Sequence, residues 1–175
     1  VEDGKWERHK FTSHELNGDT LGVFGFGDIG RKVAELASGF GLNIATYDPY
    51  VDEEGVPVDV HKVDSKVDLF QGTEIVSVHT PLTDETENAI SDEEFEQMSD
   101  DGILVNTARG GIVDEDALLD ALQKNEITGA GLDVFADEPL SSENRIATLE
   151  NTICSPHIGG VTVEALENMS ERASK

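Results

Sequence analysis

The chain has 175 residues, enough for one domain with a sizeable core, and 37% of them are hydrophobic. It carries 37 Asp and Glu against 12 Lys and Arg, a formal net charge of −25, so no basic patch exists to neutralise a phosphate backbone and nucleic acid is excluded as a partner. No apolar run approaches the ~20 residues of a membrane span, and none of these residues reads as a signal peptide.

Residues 1–19 are polar apart from Trp6, Phe11 and Leu16 and read as an arm or connecting segment. From Thr20 onward strands alternate with helices, which assigns 20–175 to one domain. Strand 20–24 runs into Gly25-Phe26-Gly27-Asp28-Ile29-Gly30, a G-x-G-x-x-G turn that opens a helix. This order is the dinucleotide-binding fingerprint. Gly25 permits the tight turn, Gly27 lets the backbone approach a pyrophosphate, and Gly30 allows close packing of helix on strand. The helix N-terminus offers unpaired N–H groups to the phosphates. Ile29, Val33, Leu36, Ala37 and Phe40 form one apolar face at helical spacing, expected to be the buried one, with Gly39 and Gly41 ending the helix. A second strand, 43–47, ends at Asp48, where an acid meets the adenosine ribose and favours NAD over NADP.

Asp64 is expected to cap a short helix containing Val67 and Phe70. Strand 74–78 follows, and then Ser91 with Glu94, a capping box before Phe95 and Met98. Strand 102–106 precedes a helix capped by Asp114, with Glu115 and Asp116 in its first turn and Ala117, Leu118, Ala121 and Leu122 inward. Strands 128–133 and 152–154 complete the set, and a helical pattern spans 162–175. The apolar runs at 75–78 and 103–105 suit parallel strands buried on both faces. The fold class is therefore α/β, a Rossmann-type doubly wound parallel sheet. A start at Val1 and a last helix without a C-cap signal read as a piece of something longer. The single cysteine, Cys154, rules out an intramolecular disulfide and a Cys-cluster metal site, and is expected to be a small core residue.

In open α/β sheets ligands bind beyond the carboxyl ends of the strands. There stand His79, Thr80 and Pro81 after 74–78; Thr107, Ala108 and Arg109 with two glycines after 102–106; Asp133 and then Glu138-Pro139 after 128–133; and His157, Gly159 and Gly160 after 152–154. Taken singly, Arg109 could be a surface ion-pair partner, Glu138 a solvated acid and His157 a structural histidine. The proline after Glu138 confines that residue to extended backbone.

The stretches GVFGFGDIGRKVAELASGFG, ATYDPY, VSVHTPLTDETENAI, LVNTARGGIVDEDALLDAL, GAGLDVFADEPL and SPHIGGVTVEA resemble the NAD-binding domain of the D-isomer-specific 2-hydroxyacid dehydrogenases, the phosphoglycerate-oxidising branch being nearest in character. The resemblance implies that Arg109 grips a substrate carboxylate and that Glu138 and His157 form the proton-transferring pair. It implies cofactor contacts at Gly25, Gly27, Asp28, Ile29, Gly30, Asp48, Thr80, Pro81, Thr107, Ala108, Arg109, Asp133, His157, Gly159 and Gly160, with Asp133 near the nicotinamide amide. The substrate would be a small D-2-hydroxy acid or 2-oxo acid, and the protein a homodimer joined through this domain, with Trp6, Phe11 and residues 141–155 as contacts. Two departures stand out. Asp28 occupies a place beside the pyrophosphate where many members carry a basic residue, and the family's substrate domain is absent from these residues. A scaffold of this kind also serves non-catalytic NAD-sensing or corepressor-like proteins, which is the alternative reading. The acids are spread along the whole chain (Glu2, Asp52, Glu85, Asp114, Glu164), and such a surface repels itself unless salt screens it. That points to a salt-adapted cytosolic protein.

Overall fold

The structure, a computed structural model, describes residues 13–165 and 167. Seven parallel strands form one sheet: β1 (Thr20–Phe24), β2 (Asn43–Tyr47), β3 (Val60–Lys62), β4 (Ile75–Val78), β5 (Ile103–Asn106), β6 (Gly129–Leu132) and β7 (Thr152–Cys154), in the spatial order β3-β2-β1-β4-β5-β6-β7. The order reverses between β1 and β4, and that switch point opens a crevice at the carboxyl edge. Four α-helices connect the strands: α1 (Asp28–Ser38), α2 (Lys66–Gln71), α3 (Asp92–Phe95) and α4 (Glu115–Lys124).

Alternation along the strands divides the core in two. Leu21 and Val23 of β1 pack with Ala34 and Ala37 of α1 on one face. Phe24, Val76 and Leu104 meet Leu69 and Phe70 of α2, Phe95 of α3 and Leu118 of α4 on the other. The register aligns Ile75 with Ile103 and Gly131 with Ile153, so these residues share the α1 face. Ile153 is 79% exposed there, and among the described residues no helix covers that part of the sheet.

Three expectations need correction, and one strand was not anticipated. The apolar face read for α1 is turned outward: Ile29, Leu36 and Phe40 are 58–70% exposed, Val33 is half-buried, and of that set only Ala37 is buried. The inward positions are Gly30, Ala34 and Ala37. A Cβ on Gly30 would lie 2.2 Å from the Gly25 carbonyl oxygen, so the helix sits too close to the strand to admit a large side chain. The cap of α2 is Ser65, whose hydroxyl accepts from Asp68 N at 3.1 Å, and not Asp64. Cys154 is exposed because β7 is an edge strand. β3 was not among the expected strands: it is a three-residue edge strand, Val60-His61-Lys62, in which only Val60 packs against the core.

The other caps stand as expected. Glu94 accepts from Ser91 N at 3.0 Å, and Asp114 accepts from the N–H groups of Asp116 and Ala117. Of the final helical pattern, residues 163–165 and 167 are helical, while Trp6, Phe11, Met169 and Ala173 lie outside the described residues.

Candidate active site

The glycine turn between β1 and α1 is built as its sequence requires. Gly25 has φ +95°, and a Cβ there would lie 2.8 Å from the backbone of His79 and Thr80 at the end of β4. Gly27 has nothing within 4 Å of a built Cβ, so its backbone is bare toward the crevice. At the end of β2, Asp48 accepts from Phe26 N at 2.8 Å and from Tyr50 N at 2.9 Å. These bonds fix the carboxylate at the crevice wall and leave each oxygen a further lone pair.

The crevice holds about 1010 Å³ and is lined by Gly25, Gly27, Asp48, Tyr50, Thr80 and Pro81, among others. Its charge is mainly negative. Asp48, Asp84 and Glu85 face Lys66, whose ammonium is committed to Glu94 at 3.0 Å and to the Ala89 carbonyl at 2.6 Å. The Tyr50 hydroxyl donates to Glu85 across the mouth, and that carboxylate raises the pKa of the phenol. His79 is half-buried, with Nε2 2.8 Å from Ser77 Oγ, and burial lowers its pKa. Tyr50, Glu85 and Lys66 were not singled out from the sequence, since nothing local shows that these elements converge.

Arg109, Glu138 and His157 stand beside this crevice, at the ends of β5, β6 and β7, and do not line it. Asn106, buried at the end of β5, holds the turn that carries Arg109: its Oδ1 accepts from Ala108 N at 3.0 Å and its Nδ2 donates to the Arg109 carbonyl at 2.9 Å. A polar residue closing an apolar strand was the one available hint of that role. Among the described residues no carboxylate lies within ion-pairing distance of the exposed Arg109 guanidinium. A Cβ on Gly110 would lie 1.8 Å from the Phe135 carbonyl carbon, so only glycine lets the Arg109 turn press against the segment leading to Glu138.

That segment brings Glu138 to His157. Glu138 Oε1 accepts from Phe135 N at 3.0 Å, and Oε2 lies 2.8 Å from His157 Nδ1. The hydrogen bond from His157, followed by that from Phe135, lowers the pKa of Glu138. An ionised carboxylate can only accept, so the imidazole proton resides on Nδ1 and Nε2 is left for other chemistry.

Residues 1–159 match the family model described as D-isomer specific 2-hydroxyacid dehydrogenase, NAD binding domain. The chain belongs to this family. It is 42% identical over 167 residues to hydroxypyruvate reductase of Thermotoga maritima, covering 94% of this chain and 54% of the relative. It is 42% identical over 170 residues to D-3-phosphoglycerate dehydrogenase of Archaeoglobus fulgidus, covering 97% of this chain and 32% of the relative. A solved D-isomer specific 2-hydroxyacid dehydrogenase from Lactobacillus delbrueckii ssp. bulgaricus, in its NAD-complexed form, superposes with a TM-score of 0.84 at 32% identity. That match covers 98% of this chain and 55% of the structure. The chain thus spans between a third and about half of the length of these relatives. It is an NAD-binding domain with a Rossmann-like parallel sheet, and the bare glycine turn beside Asp48 fits that cofactor. Among the described residues no helix is long and apolar enough to cross a membrane, and no group of three His, Cys, Asp or Glu is placed to hold a metal ion.

Proposed function

We propose that this chain supplies the cofactor half and the acid–base pair of an NAD-dependent D-2-hydroxyacid dehydrogenase with a phosphoglycerate-like substrate. The reading rests on the 2.8 Å contact between His157 and an ionised Glu138 at the carboxyl edge of the sheet. Bound NAD would take the hydride from the alcohol carbon or return it. The cofactor would be held by Gly25, Gly27, Asp28, Ile29 and Gly30 at the phosphates and Asp48 at the ribose. Thr80, Pro81, Thr107, Ala108, Asp133, Gly159 and Gly160 would continue the contacts toward the nicotinamide.

The protein's own residues divide the remaining work. With Nδ1 engaged by Glu138, the imidazole can remove a hydroxyl proton through its free Nε2. Glu138 orients the ring through Nδ1–H and stabilises the imidazolium that forms when Nε2 takes that proton. In the reverse direction the imidazolium returns the proton to the oxygen of a 2-oxo acid. Arg109, lacking an ion-pair partner among the described residues, would bind the substrate carboxylate through two parallel N–H bonds and so fix the reacting carbon.

Two further parts belong to the same proposal. The net charge of −25 and the acidic crevice support a salt-adapted cytosolic enzyme. The exposed row Ile29, Leu36 and Phe40 on α1 supports homodimerisation through this domain. The deciding experiment measures hydride transfer by the complete encoded protein with NAD and a panel of D-2-hydroxy acids that includes 3-phosphoglycerate. Turnover that His157→Ala abolishes is expected. Tight NAD binding with no turnover on any acid would favour the non-catalytic reading.

A further inference from the structure

His157 stands in an unusual backbone conformation. Its φ is +54°, in the left-handed region that residues other than glycine adopt uncommonly and at a cost their surroundings must offset. The residue that supplies those surroundings is Asp133, 5% exposed at the end of β6. Its main-chain carbonyl accepts from His157 N at 2.8 Å. Its carboxylate accepts from Ser155 Oγ at 2.5 Å and Ile158 N at 2.9 Å through Oδ1, and from Gly159 N at 2.7 Å through Oδ2. Four donors from residues 155–159 therefore converge on one residue, from both sides of the histidine. The turn is shaped to receive it, because a Cβ on Gly159 would come within 2.9 Å of Asp133 Oδ2.

We propose that Asp133 is a positioning residue that clamps the 155–159 turn and thereby aims the His157 ring at Glu138. Five residues further along the same segment, Glu138 holds the ring while Asp133 holds the backbone. The short stretch 133–138 thus grips the histidine at two points. This role leaves one lone pair on Oδ2, so it is compatible with a cofactor contact. Burial by itself would raise the pKa of Asp133, but the donors from Ser155, Ile158 and Gly159 outweigh it and keep the carboxylate charged.

The role can be separated from simple charge because the two act on Glu138 with opposite signs. The charge of Asp133 raises the pKa of Glu138, whereas the His157 hydrogen bond lowers it more. These are the two charged groups whose effects on Glu138 stand out. Asp133→Asn leaves an amide that cannot accept from all three donors. If Asp133 positions His157, the variant raises the Glu138 titration midpoint toward the ordinary carboxylate range. If Asp133 acts only as a nearby charge, the midpoint falls.

The experiment follows the Glu138 side-chain carboxyl carbon by NMR against pH in this chain, for wild type, Asp133→Asn and Gly159→Ala. Gly159→Ala keeps the charge of Asp133 but pushes on its Oδ2, so it tests the clamp even where Asp133→Asn fails to fold. We expect upward shifts of at least half a pH unit in both variants. A downward shift or none in Asp133→Asn, or an unmoved midpoint in Gly159→Ala, overturns the proposal. The inference rests on the His157–Glu138 pair assigned above, yet the readout needs no turnover. A failed titration would therefore leave the dehydrogenase reading standing, and an inactive enzyme would leave the clamp standing.

Discussion

Replacing Asp48 with alanine tests the cofactor half of the site. Both oxygens of this carboxylate are already oriented, by Phe26 N at 2.8 Å and Tyr50 N at 2.9 Å, so it meets a ribose diol without reorganising. Hydrogen bonds to a charged group contribute about 1.5–3 kcal/mol. The two hydroxyls share one carboxylate, and a loss of about 2–3 kcal/mol, roughly 30- to 150-fold in NADH affinity, is the expected cost of Asp48→Ala. NADPH meets the opposite effect. A unit charge ~5 Å from another costs ~0.8 kcal/mol in water and ~3 kcal/mol at an effective dielectric constant of 20. The wild-type chain should therefore favour NADH by at least about tenfold, ~1.4 kcal/mol. In the variant NADH weakens while NADPH does not, and the ratio falls toward unity. Fluorescence titration of both cofactors measures this, with Asp48→Asn as a control that keeps one acceptor for Phe26 N. Raising KCl to 1 M, where the screening length is about 3 Å, should relieve the NADPH penalty and leave the hydrogen-bond loss in place. Equal affinities in the wild type, or an unchanged ratio in the variant, would refute the role given to Asp48.

Both thermal stability and NADH affinity should rise between 0.1 and 2 M KCl, because screening relieves the self-repulsion of a −25 surface and of an acidic crevice; a flat or falling response in melts and titrations would remove salt adaptation from the account. Asp133 and Glu138 both ionise more readily in the folded chain than in an ordinary carboxylate. Their stabilisation is complete at neutral pH and drains away as pH falls through their folded values, so Asp133→Asn should flatten the acid limb of a plot of melting temperature against pH. His157→Ala should return Glu138 to the ordinary carboxylate range in an NMR titration, since the lost hydrogen bond is the largest cause of its lowered value. Gly30→Ala should cost about 1–3 kcal/mol in urea unfolding and abolish NADH binding, because its Cβ would fall 2.2 Å from the Gly25 carbonyl oxygen. If the chain supplies only the cofactor half, as proposed, then by itself it should reduce 2-oxo acids at under roughly a thousandth of the rate of the complete protein, about 4 kcal/mol of barrier, for want of a second wall to align the substrate. Comparable NADH oxidation by the two would show that this domain carries its own substrate site.

Local chemistry was legible from residue order alone. The glycine turn, the acid after β2, the caps Asp114 and Ser91/Glu94, and the parallel strands are each specified by neighbours a few positions apart, where hydrogen-bonding and steric rules act directly. The set Arg109, Glu138 and His157 was legible as three strand-end residues, but their mutual geometry was not. The 2.8 Å Glu138–His157 contact joins residues 19 apart, and it depends on β6 and β7 lying side by side. Packing also decided which face of α1 turned inward. Hydropathy alone chose Ile29, Leu36 and Phe40, but the approach of Gly30 to Gly25 leaves room only for small side chains, and the bulky row was left outside. The same holds for Cys154, apolar by type and exposed because its strand is the sheet's edge. The left-handed backbone of His157 carries no signature in a Pro-His-Ile sequence. It exists because four donors around it converge on Asp133, more than twenty residues away, and only the fold brings that carboxylate beneath the turn.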